Sequence, residues 1–299
     1  MAMKSLRFQL DALPNLHDAI QAPKNGICSH SIYYTMNKIL VPVDFSETSL
    51  NALFYAIQLF EPSTVEITVL HTYGKNSSAF YIKNIDRILE REAQRDMEAF
   101  VKKVQKEEPG IVLKTKIIKS NAISTIASLG NSGTYDFIVM GTKGASGLRE
   151  VFIGSVAGGV ISKTQAPVLV IPDNYRYQPL DEIIFAVSDI PFSNDSVVEP
   201  LRKLAKIHPF KVNVLHVAEG KKLYIEELLS SIEDLNPSVS YSFGDGNIKQ
   251  RLNEYIAKEN AGLLCLIRRK KDFFSRILNE SVTLKQTFSS AVPLLILHD

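Results

Sequence analysis

Between residues 141 and 156 the chain reads GTKGASGLREVFIGSV, which sets Gly141, Gly144, Gly154 and Ser155 in the spacing G-x2-G-x9-G-S. Glycines without Cβ atoms let backbone N–H groups approach anionic oxygens. A helix opening at Gly154 and Ser155 adds unpaired N–H groups and the positive end of its dipole. The hydroxyls of Thr142 and Ser155 supply further donors, so the chemistry on offer is phosphate binding. The same glycines also serve turns and close packing, and the loop alone weighs the two readings equally. No G-x4-G-K-[ST] occurs anywhere, and no G-x-G-x-x-G follows the first strand, which excludes the Walker A and dinucleotide loops.

Alternating short apolar runs and helical periods must position this loop. Strands are predicted at Ile39–Val43, Val65–His71, Val112–Ile118, Phe137–Met140 and Val168–Ile171. The first intervening helix is capped by Ser46 and carries Leu50, Leu53, Phe54, Ile57 and Phe60 at three- and four-residue spacing. A longer helix spans about 84–108, with Ile85, Ile88, Leu89, Phe100, Val101 and Val104 on one face, and ends at Pro109-Gly110. Two more helices are predicted, from Ala122 to Leu129 and from Gly154 to Lys163. Apolar strands separated by helices indicate an α/β fold with a parallel sheet covered on both faces. In such sheets ligands sit beyond the carboxyl ends of strands, where the strand order reverses.

The pattern then repeats. KILVPVDFS at 38–46 answers EIIFAVSDI at 182–190, with Asp44 over Asp189, and EITVLHTY at 66–73 answers KVNVLHVA at 211–218, with His71 over His216 at an offset of 145. APVLVI at 166–171 answers VPLLIL at 292–297, where the offset has dropped to 126. One fold is therefore used twice, and the second copy has lost 19 residues, best placed around its second helix, 222–235. Its strands are predicted at Ile183–Val187, Val212–Val217, Val239–Phe243, Leu263–Ile267 and Leu294–Leu297. The domains expected are 36–173 and 180–299, preceded by an irregular extension at 1–35. Met36 reads as the natural start, with a short partner-binding tail as the rival view of the extension.

The 299 residues suit two such domains, and 45% hydrophobic against 22% charged residues excludes a wholly disordered chain. Thirty-four Lys and Arg against 32 Asp and Glu give a formal charge of +2, too small for whole-surface attraction to nucleic acid or anionic lipid. Cys28 and Cys265 have no zinc-type spacing and are read as reduced thiols. Neither a signal peptide nor a long apolar span is evident, so a cytoplasmic location is expected.

The glycine spacing, together with VPVDFS at 41–46 and VLHT at 69–72, resembles the ATP-binding branch of the universal stress protein family. The likeness covers about 36–172 with all motifs and continues more weakly through 180–299, as in a tandem member. It implies a Rossmann-like fold of two tandem open parallel five-stranded sheets of order 3-2-1-4-5, with ATP at the carboxyl edge. By the resemblance, Pro42, Val43 and Asp44 meet the adenosine, and Thr72 stands where relatives usually place Val against adenine. Met140 borders the nucleoside, and Gly141, Lys143, Gly144, Gly154, Ser155 and Val156 surround ribose and phosphates. Lys143, where many relatives have His, either pairs with a phosphate or is a solvated loop lysine. His71 reads as a hydrogen-bonded core histidine. The resemblance also implies pairing of the two fifth strands within the chain, with further homodimerisation open.

At the equivalent loop, copy two reads RRKKDFFSRILNESV at 268–282, with Glu280 over Gly154 and no glycine after Ile267. It is not expected to bind ATP. Arg268, Arg269, Lys270 and Lys271, followed by Phe273 and Phe274, either recruit an acidic partner or place phenylalanines in the vacated pocket and cations in water. The stretch Gly244–Asn247 reads as a turn with a cap. The function expected is a cytoplasmic ATP-binding stress-response or regulatory protein, with ATP held with or without magnesium and an unidentified protein partner. A nucleotide-independent adaptor acting through 268–274 and a slow ATPase are the alternatives. No catalytic base is identifiable, and any metal requirement is open.

Overall fold

In the computed structural model, residues 37–60, 65–74, 83–142, 153–187, 193–217, 225–242, 248–259, 261–269 and 292–299 are described. The first half of this chain forms β1 (Asn37–Pro42), α1 (Glu47–Phe60), β2 (Val65–Tyr73), α2 (Lys83–Glu107), β3 (Leu113–Lys119), α3 (Ala122–Asn131), β4 (Phe137–Gly141), α4 (Ser155–Lys163) and β5 (Val168–Ile171). The second half adds β6 (Glu182–Val187), α5 (Glu199–Ile207), β7 (Lys211–Val217), α6 (Ile225–Ser231), β8 (Ser238–Ser242), α7 (Ile248–Glu259), β9 (Leu263–Arg268) and β10 (Leu294–His298).

All ten strands join one sheet in the order β3-β2-β1-β4-β5-β10-β9-β6-β7-β8. Each half keeps the expected order 3-2-1-4-5 with parallel pairing. The two meet through antiparallel β5 and β10, where Leu169 faces Leu295 and Val168 faces Ile296. The two expected sheets are thus one, because the fifth strands complete each other's edge. Alternate residues of each strand feed opposite faces. Ile39, Val41, Leu169 and Leu295 pack with α1, α2, α5 and α6, whereas Leu40, Ile138, Val170 and Ile296 pack with α3, α4 and α7. An ion pair from Lys203 of α5 to Asp136 ties the halves again on one side.

Strand register places Ile39 and Ile183 alike between their neighbours, an offset of 144. Asp189, expected over Asp44, lies outside the described residues. Lys114 and Ser238 share a register position, so the chain has already shortened by the third strand. The loss therefore falls between the second and third strands, where α2 has 25 residues and α6 has seven. Burial corrects the expected face of α2. Its buried line is Ala93, Met97, Phe100 and Val104, while Ile85 and Ile88 are about half exposed. A 25-residue helix is about 37 Å long and the nine-residue β2 about 30 Å, so the first turns overhang the sheet.

His298, at the end of β10, has both ring nitrogens buried without a hydrogen-bond partner. Burial, assisted by the Arg268 charge, lowers its pKa to about 4. Protonation is thus harder in the folded than in the unfolded chain. Stability held above pH 6.5 should fall as pH drops toward 4, by on the order of 3 kcal/mol. Urea unfolding across that window should show this slope, and His298→Leu should flatten it.

Candidate functional site

The strand order reverses between β1 and β4, and the connections leaving their carboxyl ends diverge to opposite faces. A cavity of about 450 Å³ opens there. It is walled by the ends of β1 (Pro42, Val43, Asp44), β2 (Leu70, His71, Thr72) and β4 (Met140, Gly141, Thr142), and by the starts of α1, α3 and α4. Of the residues singled out from sequence, Pro42, Val43, Asp44, Thr72, Met140, Gly141, Thr142, Gly154, Ser155 and Val156 all line it. Lys143 and Gly144 lie outside the described residues, as does 145–152.

Asp44 ends β1 in a tight turn. Its Oδ1 accepts from the Ser46 N–H at 3.1 Å and from the Ser46 hydroxyl, and Ser46 Oγ in turn accepts from Ser49 N–H at 3.2 Å to cap α1. Burial raises the Asp44 pKa, but hydrogen bonds from Ser46 and Ser49 outweigh it and hold the carboxyl below its ordinary value. A carboxylate therefore stands in the cavity lining at neutral pH, suited to amino or hydroxyl donors of a ligand. The turn requires Phe45 at φ 64°, a left-handed conformation that costs a non-glycine residue about 1–3 kcal/mol. Stacking of the Phe45 ring on His71, with centroids 4.2 Å apart, helps hold it. His71 Nδ1 donates to the Val43 carbonyl at 2.9 Å, so it is the hydrogen-bonded histidine expected, although it also lines the cavity.

Other residues of the lining have the other polarity. Gly154 caps α4 in extended geometry without a side-chain bond, so the first N–H groups of a nine-residue helix open on the cavity. Thr142 is 1% exposed, its N–H is bound to the Ile171 carbonyl, and its Oγ1 has no partner. Such a buried unpaired hydroxyl costs about 1–3 kcal/mol unless something in the cavity engages it. Donors and a carboxylate in one lining fit a ligand with both anionic and hydrogen-donating groups. Among the described residues no cluster of three His, Cys, Asp or Glu could hold a metal ion.

Gly141 answers the packing reading of the loop glycines. A Cβ there would stand 2.7 Å from both Cγ2 and the carbonyl oxygen of Thr48, so glycine is what lets α1 begin against β4. Sequence reasoning assigned Ser46 only to a helix cap and missed Thr48, Ser49, Leu70, Ala122, Ile126 and Ala157. The Ser-Glu-Thr-Ser run at 46–49 was the available signal for the first two. Ala122 and Ile126 enter through the tertiary position of α3.

In the second half Ile267 takes the register position of Gly141, and Arg268 that of Thr142. Arg269, expected among solvent-facing cations, instead bonds Asp299 at 2.7 Å with both side chains largely buried. Lys270, Lys271, Phe273, Phe274, Glu280, the stretch 244–247 and residues 1–35 lie outside the described residues.

Comparison with known proteins follows the geometry. The profile of the universal stress protein family matches residues 35–172. Two universal stress proteins of Methanocaldococcus jannaschii are similar. One is 31% identical over 142 residues, with 45% of this chain and 81% of the relative covered. The other is 30% identical over 153 residues, with 45% and 93% covered. Among solved structures, a universal stress protein from Archaeoglobus fulgidus aligns over 88% of this chain and 97% of its own, at TM-score 0.63 and 21% identity, a likeness of fold. Replacing Gly141 by Ala should push the first turn of α1 off β4 and destabilise the protein by about 1–3 kcal/mol, measured by urea unfolding.

Proposed function

The chain belongs to the universal stress protein family, and we propose that its first half, 36–173, is an ATP-binding regulatory module of the cytoplasm whose second half, 180–299, is a degenerate copy serving as its built-in partner. The observation that carries this reading is the buried, unpartnered hydroxyl of Thr142 beside the open N-terminus of α4. Both belong to a cavity whose lining also presents an ionised Asp44. Adenosine amino and hydroxyl groups suit Asp44, and the phosphates suit Thr142, Gly154, Ser155 and Val156. Apolar Val43, Leu70, Ile126 and Met140 flank the position of the base, with Thr72 adding a hydroxyl where the wall is otherwise aliphatic. A cavity of about 450 Å³ lies within the usual range for small-ligand sites, about 300–1,000 Å³. Magnesium, when present, would arrive on the phosphates, because Asp44 is the one carboxylate among the described lining residues.

Binding of ATP, rather than its turnover, is the role assigned. The second half has an isoleucine where the phosphate loop starts and an arginine already engaged by Asp299, which supports a structural role. The same ion pair weakens the adaptor reading of 268–274. Among the described residues, no helix is long and apolar enough to cross a membrane.

Titration calorimetry with ATP and magnesium should give one site per chain. Gly154→Glu should abolish binding, and Thr142→Val and Asp44→Ala should each weaken it about tenfold, as loss of one hydrogen bond to a charged or polar partner implies. Cyclic AMP and GTP, which change the phosphate and the base separately, should bind more weakly. Absence of ATP binding at millimolar concentration by the folded wild type would overturn the reading.

A further inference from the structure

One stripe of α1 is given over to the junction between the halves. Thr48, Asn51, Tyr55 and Leu59 recur at spacings of three and four and so share one face of the helix. Thr48 Oγ1 donates to the Asp173 carboxylate just beyond β5. Asn51 Nδ2 donates to the carbonyls of Pro172 and Tyr175 at 3.1 and 3.0 Å, and its Oδ1 accepts from Arg176. Tyr55 packs its ring against those of Tyr175 and Tyr177. The Leu59 carbonyl lies 2.6 Å from Nε2 of His208, at the end of α5 in the second half. The same connecting segment reaches the second half again, where Tyr175 donates to the Gly262 carbonyl.

The other end of this helix is part of the ligand cavity. Ser46, Thr48 and Ser49 line it, and the backbone of Thr48 rests on Gly141. We propose that α1 couples occupancy of the cavity to the junction between the halves, with Asp173 and Asn51 acting as positioning residues for a site they do not touch. This rests on the nucleotide reading above. A recurrence in the repeat supports the pin as part of the design. Asp299 follows β10 as Asp173 follows β5, and it too accepts a hydroxyl hydrogen bond, from Ser193, which precedes the first helical segment after β6. Neither Asp173 nor Asn51 is among the residues lining the cavity, whereas Thr48, which Asp173 holds, and Ser49, two positions from Asn51 on the same helix, are. Linkage then requires reciprocity: if the clamp on residues 172–176 favours ligand binding, the ligand must tighten that clamp by the same factor.

The test uses the full chain, with ATP and magnesium as the probe. Asp173→Ala and Asn51→Ala should each weaken ATP binding at least fivefold. Asp173→Asn, which keeps an acceptor for Thr48, should restore most of it. In the wild type, ATP should slow amide exchange at 173–177 by a comparable factor, a measurement that needs no variant to fold. Wild type that binds ATP, with unchanged exchange at 173–177 and variants binding as tightly, would overturn the coupling while leaving the nucleotide site intact. Wild type that fails to bind ATP would overturn the site reading and this inference with it.

Discussion

Three residue pairs between β5 and β10 join the strands of residues 37–299 into one sheet. Without them each half would end in a bare, largely apolar strand, Val168–Ile171 or Leu294–His298, with unpaired N–H and C=O groups inviting association. Antiparallel pairing of two copies of the same unit is the arrangement that lets one edge complete its equivalent. The free edges are thereby displaced to β3 and β8. β3 carries Lys114, Lys116 and Lys119, charges that discourage further strand addition. Both apolar layers then run unbroken across the seam, so helices of either half rest on a common sheet.

A common frame does not oblige both halves to keep the same chemistry. At the carboxyl edge the sheet demands only that residues after the fourth and fifth strands be satisfied, and the halves meet that demand differently. In the first, Thr142 keeps an unpaired hydroxyl and α4 begins uncapped. In the second, Ile267 and Arg268 replace Gly141 and Thr142, and Arg269 and Asp299 neutralise each other. Asp299 is held ionised against the cost of burial by bonds from Ser193 and Arg269. The hydroxyl-to-carboxylate pin survives in both halves, whereas the glycine loop survives in one. A hydroxyl-to-carboxylate bond to the residue following the fifth strand belongs to the frame, and the glycine loop is laid upon one half of it.

The sequence disclosed most of the frame because strand and helix periods are local. Every one of the ten strands lies within two residues of its expected limits: the central ones are short apolar runs, and the edge strands β3 and β8 still alternate apolar and polar residues or carry β-branched ones. What escaped was set by distance in the chain. The exposure of Ile85 and Ile88 depends on how far α2 outruns β2, and no periodicity contains that comparison. The level of Ile39 with Ile183 depends on pairing with β4 and β9, and a one-residue slip in a sequence alignment, harmless there, changes the face in a sheet. The described glycine-loop and first-strand residues were recoverable because the loop announces itself by composition. Ala122 and Ile126 were not, because an alanine and an isoleucine on a helix announce only a core.

The two polar irregularities of the first site point in one direction. A hydroxyl at 1% exposure with no acceptor or donor, and a helix start with no side-chain cap, are both ordinarily removed when a site has no use for them. Valine would fill the place of Thr142 without the desolvation cost, and serine at 154 would cap α4. Each alternative stabilises the free protein, and each also removes a donor from the cavity. Phe45, held at φ 64° after the end of β1, is a third local expense at the carboxyl edge of the sheet. Unpartnered buried groups occur elsewhere too, as at His298, but at this edge strain, an unpaired hydroxyl and an uncapped helix start adjoin one cavity, which is where a bonding partner from outside the chain has room to act.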